Sequence, residues 1–330
     1  MDVKTNASDE YLHEPPEKRL WNESYFFDFN DETVRGFTRL GFQPFERRAN
    51  AWFYFVYDDE VYWYRDENIP LERTFGLQSS TPEFTQRYEL HKPYEEWVVS
   101  ASGDCNVAND ANDVFTGTDE QVSMTADLTF SNPLHDPLDI DLLVDTQYHY
   151  DYANQVEGTL TIGGEEVPVS GRGYRDHSWG WFRDWTPGKW GHMACFAQFG
   201  TGDCFTLIAS TNPGDEVHHV YGYHANAETV RPIRDATVDW NDGHDRADRA
   251  RAWAEGEYPT EIDYTLEFED GTEELCCRPT HNIPIGYEDR NWALSDPDGP
   301  WLTSVTNRMP ADCQWRGNEG LAWPEELLSI

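Results

Sequence analysis

The chain has 330 residues, 38% of them hydrophobic and 15% aromatic, enough for one large core or two of moderate size. Asp and Glu number 62 against 24 Lys and Arg; the net charge of −38 repels phosphate backbones and anionic surfaces, so neither nucleic acid nor a membrane is expected as a partner. With 14 Trp, 17 Tyr and 17 Phe, the acidity is not that of a disordered chain.

Among the 24 basic residues only Lys4, Lys18, Lys92 and Lys189 are lysines. A carboxylate-coated, lysine-poor surface has the look of a cytoplasmic protein from a haloarchaeon, where salt of about 1 M shortens the Debye length to near 3 Å and screens self-repulsion. The charge then describes the solvent more than the substrate. No apolar run reaches the ~18 residues of a membrane span, and Met1-Asp2-Val3-Lys4 has no leader character, so a cytoplasmic protein is expected.

Residues 1–18 are polar and contain Pro15-Pro16, which predicts a flexible arm. A first domain is expected over 19–153 and a second over 154–330, with a meander of comparable length in each. Glu23 stands among aromatics in Asn22-Glu23-Ser24-Tyr25-Phe26-Phe27. Facing a cavity, it would have a pKa raised by desolvation and be a candidate acid; otherwise it is an exposed edge carboxylate. Ala51 to Tyr57 is apolar or aromatic on both faces, as in a strand covered on both sides. Val122, Met124, Ala126, Leu128 and Phe130 alternate with polar residues, a strand with one apolar face. Hairpins are expected at 52–64, 158–170, 193–210 and 262–277, each with acidic or glycine turn residues between β-rich runs. Helix is confined to Asp245–Glu255, with a turn at Pro324–Leu328. These features predict an all-β protein with less than about 15% helix.

One stretch stands out: Gly171-Arg172-Gly173-Tyr174-Arg175-Asp176-His177-Ser178-Trp179-Gly180-Trp181-Phe182-Arg183. On an extended backbone Arg175, His177, Trp179 and Trp181 share one face, while Tyr174, Asp176, Ser178 and Gly180 share the other. His177 beside Trp179 sets a titratable ring against an indole, which suits protonation of an electron-poor centre or stabilisation of a cation. Asp176 could order a neighbouring loop through Arg172 or Arg183. The same residue types also build ion-pair staples without chemistry, and composition leaves both readings open. Elsewhere, His218 and His224 share a strand face but lie about 20 Å apart, too far for one metal. Gly163-Gly164 lacks the lysine of a phosphate loop, and no G-x-S-x-G elbow occurs. Cys105, Cys195, Cys204, Cys276, Cys277 and Cys313 lack C-x-x-C spacing and read as buried free thiols.

The 171–183 stretch resembles the D-H-x-W-G signature of the superfamily of carotenoid 1,2-hydratases (hydroxyneurosporene synthase), AttH-like proteins and lipocalin-type Diels–Alderases. Trp21 to Phe29 and Gly36 to Gly41 are similar to its first strands. The resemblance implies two lipocalin-like antiparallel β-barrel domains with an apolar ligand cavity. It carries catalytic roles onto His177, Trp179 and Asp176; on the residues themselves Arg175, Trp181, Tyr174, Arg183 and Glu23 are the candidate ligand contacts. The hydratases' downstream Tyr-x-Asp pair has no counterpart in Gly200-Thr201-Gly202-Asp203-Cys204, although Asp203 could take part of that role. The expected function is a hydratase, isomerase or cyclase for an isoprenoid or lipid-like molecule, without metal or cofactor. The alternative is a non-catalytic carrier of a hydrophobic ligand.

Overall fold

Antiparallel pairing organises the whole computed structural model, which describes residues 6–19, 21–74, 76–108, 113–116, 118–132, 138–139, 147–181, 191–211, 217–245, 248–249, 252–253, 256–286 and 304–329. The chain separates into two compact units, Met1–Ala108 with Thr118–Arg183, and Asn109–Gly117 with Asp184–Ile330.

The first unit begins with β1 (Trp21–Asn30), β2 (Val34–Gln43), β3 (Arg48–Tyr57) and β4 (Glu60–Pro70). It continues with β5 (Gln78–Ser80), β6 (Phe84–Lys92), β7 (Glu96–Ala108) and β8 (Gln121–Ser131). Then come the short β9 (Leu138–Asp139) and a long hairpin of β10 (Gln147–Ile162) and β11 (Glu165–Trp181). Strands pair in the order β4-β3-β2-β1-β11-β10-β8-β7, and pairing of Val61–Trp63 with Asn106–Ala108 returns β7 to β4. The sheet therefore curls into a barrel. The β3–β4 turn has Asp58 and Asp59 both at positive φ, 52° and 62°, the mirror-image turn whose twist matches paired strands. All ten residues of β1 are buried. Its Tyr25, Phe27 and Phe29 enter the core with Phe53, Trp97 and Phe130, while Phe26 stacks on Phe37 at 5.8 Å on the opposite face.

The second unit opens with β12 (Gly191–Phe199), β13 (Cys204–Thr211), β14 (Val217–Ala225), β15 (Val230–Pro232) and β16 (Asp235–Asp239). It continues with β17 (Ile262–Phe268), β18 (Gly271–Pro279) and β19 (Ile283–Gly286), then β20 (Ser304–Arg308), β21 (Ala311–Trp315) and β22 (Asn318–Ser329). Its sheet runs β15-β14-β13-β12-β22-β21-β18-β17-β16, with β20 also on β22. Both sheets fit the all-β, lipocalin-like class, and the four expected hairpins form. The six cysteines are free.

Three expectations need correcting. A boundary at 153/154 falls inside β10, so the 171–183 stretch belongs to the first unit, because β11 pairs with β1 on its other edge. Residues 6–13 are not a loose arm: Asn6 caps a turn of 3-10 helix, Ala7–Glu10, and Glu10 is fully buried. Pro324–Leu328 is not a turn but part of β22, held between β12 and β20. Helical residues within Asp245–Glu255 are described at 248–249 and 252–253.

Candidate functional site

Because β11 lies between β1 and β10, its inward residues are matched across three strands in rungs. Glu23, Trp179 and Tyr148 form one rung, Tyr25, His177 and Tyr150 the next, and Phe27, Arg175 and Tyr152 the third. Period-2 alternation places the three members from each strand on the same side of the sheet. The Tyr148, Tyr150, Tyr152 alternation is the sequence signal for the β10 contribution.

Glu10 comes from the N-terminal turn, where Ser8 N donates to Asn6 Oδ1 at 3.0 Å and Asn6 N to Asp9 Oδ2 at 2.9 Å. Its carboxylate accepts from Arg175 Nη1 at 2.7 Å, Trp97 Nε1 at 2.8 Å, Tyr94 N at 3.2 Å and the Tyr150 hydroxyl. Burial pushes its pKa up, but the charge of Arg175 and these donors outweigh it and leave Glu10 below the usual carboxylate value. Arg175 is fully buried, lies 4.4 Å from the Trp97 ring centroid and donates to the Tyr152 hydroxyl. It is a core cation rather than an open ligand contact.

Glu23 is 1% exposed, so it is neither an edge carboxylate nor a raised-pKa acid. Its Oε1 accepts from His13 Nδ1 at 2.9 Å and from His177 Nε2 at 3.0 Å, and the His13 backbone N–H reaches both its oxygens at 3.1 Å. Burial raises its pKa, and the two imidazoles reverse that and lower it. The pKa values of the two imidazoles shift in opposite directions. In His13 burial disfavours the cation, but the hydrogen bond and charge of Glu23, with Asp9, hold its pKa above the ordinary value. In His177 burial wins over Glu23, and the pKa falls below the ordinary value.

The His177 contacts can be counted in protons. Glu23, His177 Nε2, His177 Nδ1, the Tyr150 hydroxyl and Glu10 form a chain of three contacts, the middle one 3.2 Å long. Both ends are carboxylates that only accept, while neutral His177 and Tyr150 supply one proton each. The chain is one proton short, so His177 has room to take one.

His13 is the member nearest solvent, with a quarter of its side chain exposed. It stacks on Trp179 at 4.2 Å, and Trp179 stacks at 5.4 Å on Tyr148, which is 55% exposed. A titratable ring thus opens onto an aromatic rim. His177 has Tyr25 stacked on it at 3.9 Å and is fully buried.

Not all the candidate residues meet here. Tyr174 and Asp176 lie on the other face of β11, where Tyr174 N donates to Asp28 Oδ1 at 2.8 Å and Asp176 sits opposite Phe26 and Asp151. Alternation along the strand excludes them from the inward face. Trp181 ends β11 opposite Trp21, with its side chain outside the described residues, as is all of Arg183. Asp203 belongs to the second unit. Glu10 and His13 were missed because they lie in the segment expected to be loose. His13, Glu23 and His177 each offer a ligand atom within 4.8 Å of the others, as do Glu261, Asp263 and Cys276. In the first trio a cation would have to displace the protons that bridge it.

A family model described as a domain of unknown function (DUF7064) matches residues 6–323. No curated protein matches the chain. Among solved structures, an AttH protein of Nitrosomonas europaea superposes with a TM-score of 0.61 at 14% identity, over 99% of this chain and 97% of that one. Kievitone hydratase from Nectria haematococca gives 0.56 at 12% identity, over 99% and 96%. CghA with Sch210972 gives 0.56 at 10% identity, over 94% and 89%. At these identities the likeness is one of fold.

Proposed function

We propose that this chain, which belongs to the DUF7064 family of unknown function, is an acid–base enzyme for small hydrophobic molecules, of hydratase, isomerase or cyclase type. The observation that carries this is the sharing of one buried carboxylate oxygen by two imidazoles, one at the rim whose pKa is raised and one inside whose pKa is lowered. Kievitone hydratase, on the same fold, is named for water addition or removal, although fold alone does not set chemistry.

In this reading the substrate lies against Trp179 and Tyr148. His13 Nδ1 stays on Glu23, and its Nε2–H, 3.7 Å from Asp9 and beyond hydrogen-bond range, goes to an alkene carbon. The carbocation that forms lies over the Trp179 indole. For hydration, water adds to the cation and its proton returns to His13 or fills the vacancy at His177; for isomerisation, a neighbouring C–H proton passes to the freed His13 Nε2 instead, which restores the acid. Asp176 has no part in this, and His177 acts as a base rather than as the acid.

The test is incubation with short prenyl alkenes in H₂¹⁸O and D₂O, with products read by mass spectrometry. Solvent oxygen or deuterium should enter the product, and His13→Gln should lower the rate by about 10²–10⁴, the usual worth of a general acid. The wild-type rate should fall as pH rises through the elevated His13 pKa. Undiminished turnover in His13→Gln would sink the assignment. The closed hydrogen bonding around His177 favours a second reading, a carrier of a hydrophobic ligand. Organic extraction of the purified protein that yields a stoichiometric lipid, with no turnover, would establish it.

A further inference from the structure

The second unit holds a separate cavity of about 490 Å³, lined mainly by polar groups that include Asp203, His224, Arg231, Asp270, Trp315 and Arg316. We infer that it is a binding site for a small neutral polyhydroxylated molecule, a sugar or a cyclic polyol. The proposal stands apart from the first unit's chemistry.

The ladder builds the site. On three adjacent strands Phe205 of β13 faces His224 of β14, and His224 faces Arg231 of β15. Directly opposed residues have Cβ atoms only about 5 Å apart. Asp203, in the turn before β13, accepts from His224 Nε2 at 2.8 Å and Asn226 Nδ2 at 3.0 Å on Oδ1, and from Thr201 Oγ1 at 2.6 Å on Oδ2. The His224 ring lies between Phe205, at 4.7 Å, and Trp315, at 5.0 Å, which fix its plane.

Two residues of the lining each carry a buried polar atom without a hydrogen-bond partner, His224 Nδ1 and Arg231 Nε, and His224 is 4% exposed. The bond to Asp203 puts the His224 proton on Nε2, so Nδ1 is a bare acceptor. Burial also keeps the ring neutral, with Asp203 offsetting that only in part. Arg231 Nε is a donor. One orphan acceptor and one orphan donor on opposed residues suit a hydroxyl pair, since each hydroxyl both gives and takes a hydrogen bond. An anion is a poor occupant because the cations are matched: Arg231 reaches Asp270 at 2.6 Å and Glu273 at 3.2 Å, and Arg316 Nε reaches Glu273 at 2.8 Å. The volume lies in the range of small-molecule sites, about 300–1,000 Å³.

Calorimetric titration of the full chain with myo-inositol, glucose and trehalose, each to about 50 mM, tests the site. At least one should bind, and sodium sulfate should not. His224→Phe keeps the ring contacts and removes both nitrogens; it should weaken binding by about tenfold or more, the worth of one hydrogen bond to a buried group. Should that variant fail to fold, Arg231→Lys removes Nε yet retains a cation for Asp270 and Glu273, and the same tenfold loss is expected. No heat from any of the three polyols, tighter binding of sulfate, or unchanged polyol affinity in a folded variant would each overturn the proposal.

Discussion

Glu10→Ala should destabilise the protein by about 3–5 kcal/mol, because Arg175 would remain fully buried without its counter-charge. Replacing both partners, as Glu10→Leu with Arg175→Met, should restore most of that loss. Urea unfolding of the single and double variants measures the difference, and equal losses in the two would refute the pair's role. The pH dependence separates the imidazoles. His13 has a folded pKa above 6.5, so its contribution is complete below that pH and fades as pH rises through the folded value. His177 has a lowered folded pKa, so its contribution is present above 6.5 and fades as pH falls through the lower value. His13→Gln should therefore flatten the decline in stability on the alkaline side alone, and thermal melts from pH 5 to 9 would show it. The face of β11 was legible from alternation. Its partners were not: Arg175 meets an acid 165 positions away, and no local pattern connects them. The lowered pKa of Glu23 is hidden from the sequence for the same reason, since burial alone raises it and the reversal depends on two histidines, one of them from the N-terminal segment.

At the level of elements, β11 runs close beside β1. A Cβ at Gly173 would meet Asp28 O at 2.1 Å and Val156 Cγ2 at 2.7 Å. Gly173→Ala should thus cost about 1–3 kcal/mol by overpacking, with the strands forced apart where the inward rungs are set. A melting temperature equal to wild type would contradict so tight an approach. The β10–β11 hairpin could be read from Gly163-Gly164 and the β runs around it. Its unit could not, because membership is decided on the far edge of β11 by pairing with the chain's first strand. Pro324-Glu325-Glu326-Leu327-Leu328 illustrates the same limit, since its composition suits a turn but β12 and β20 flank it and hold it extended.

Over the whole molecule, 62 acidic against 24 basic residues leave self-repulsion that only salt can screen. The melting temperature should fall as salt drops from multimolar to about 0.1 M; an unchanged value across that range would remove the halophilic reading of the composition. The all-β class was legible because period-2 alternation and turn chemistry are local signals, repeated in both units. Biosynthesis adds a constraint that the burial of Glu10 imposes. Translation is vectorial, and at about 5–20 residues per second the ribosome makes Arg175 on the order of ten seconds after Glu10. Through that interval Glu10 lacks the Arg175 guanidinium, and the ion pair can close only once β11 has been made. The pair of Glu10 with Arg175 therefore closes late, and a bulky fusion ahead of Asn6 would hinder that step of maturation.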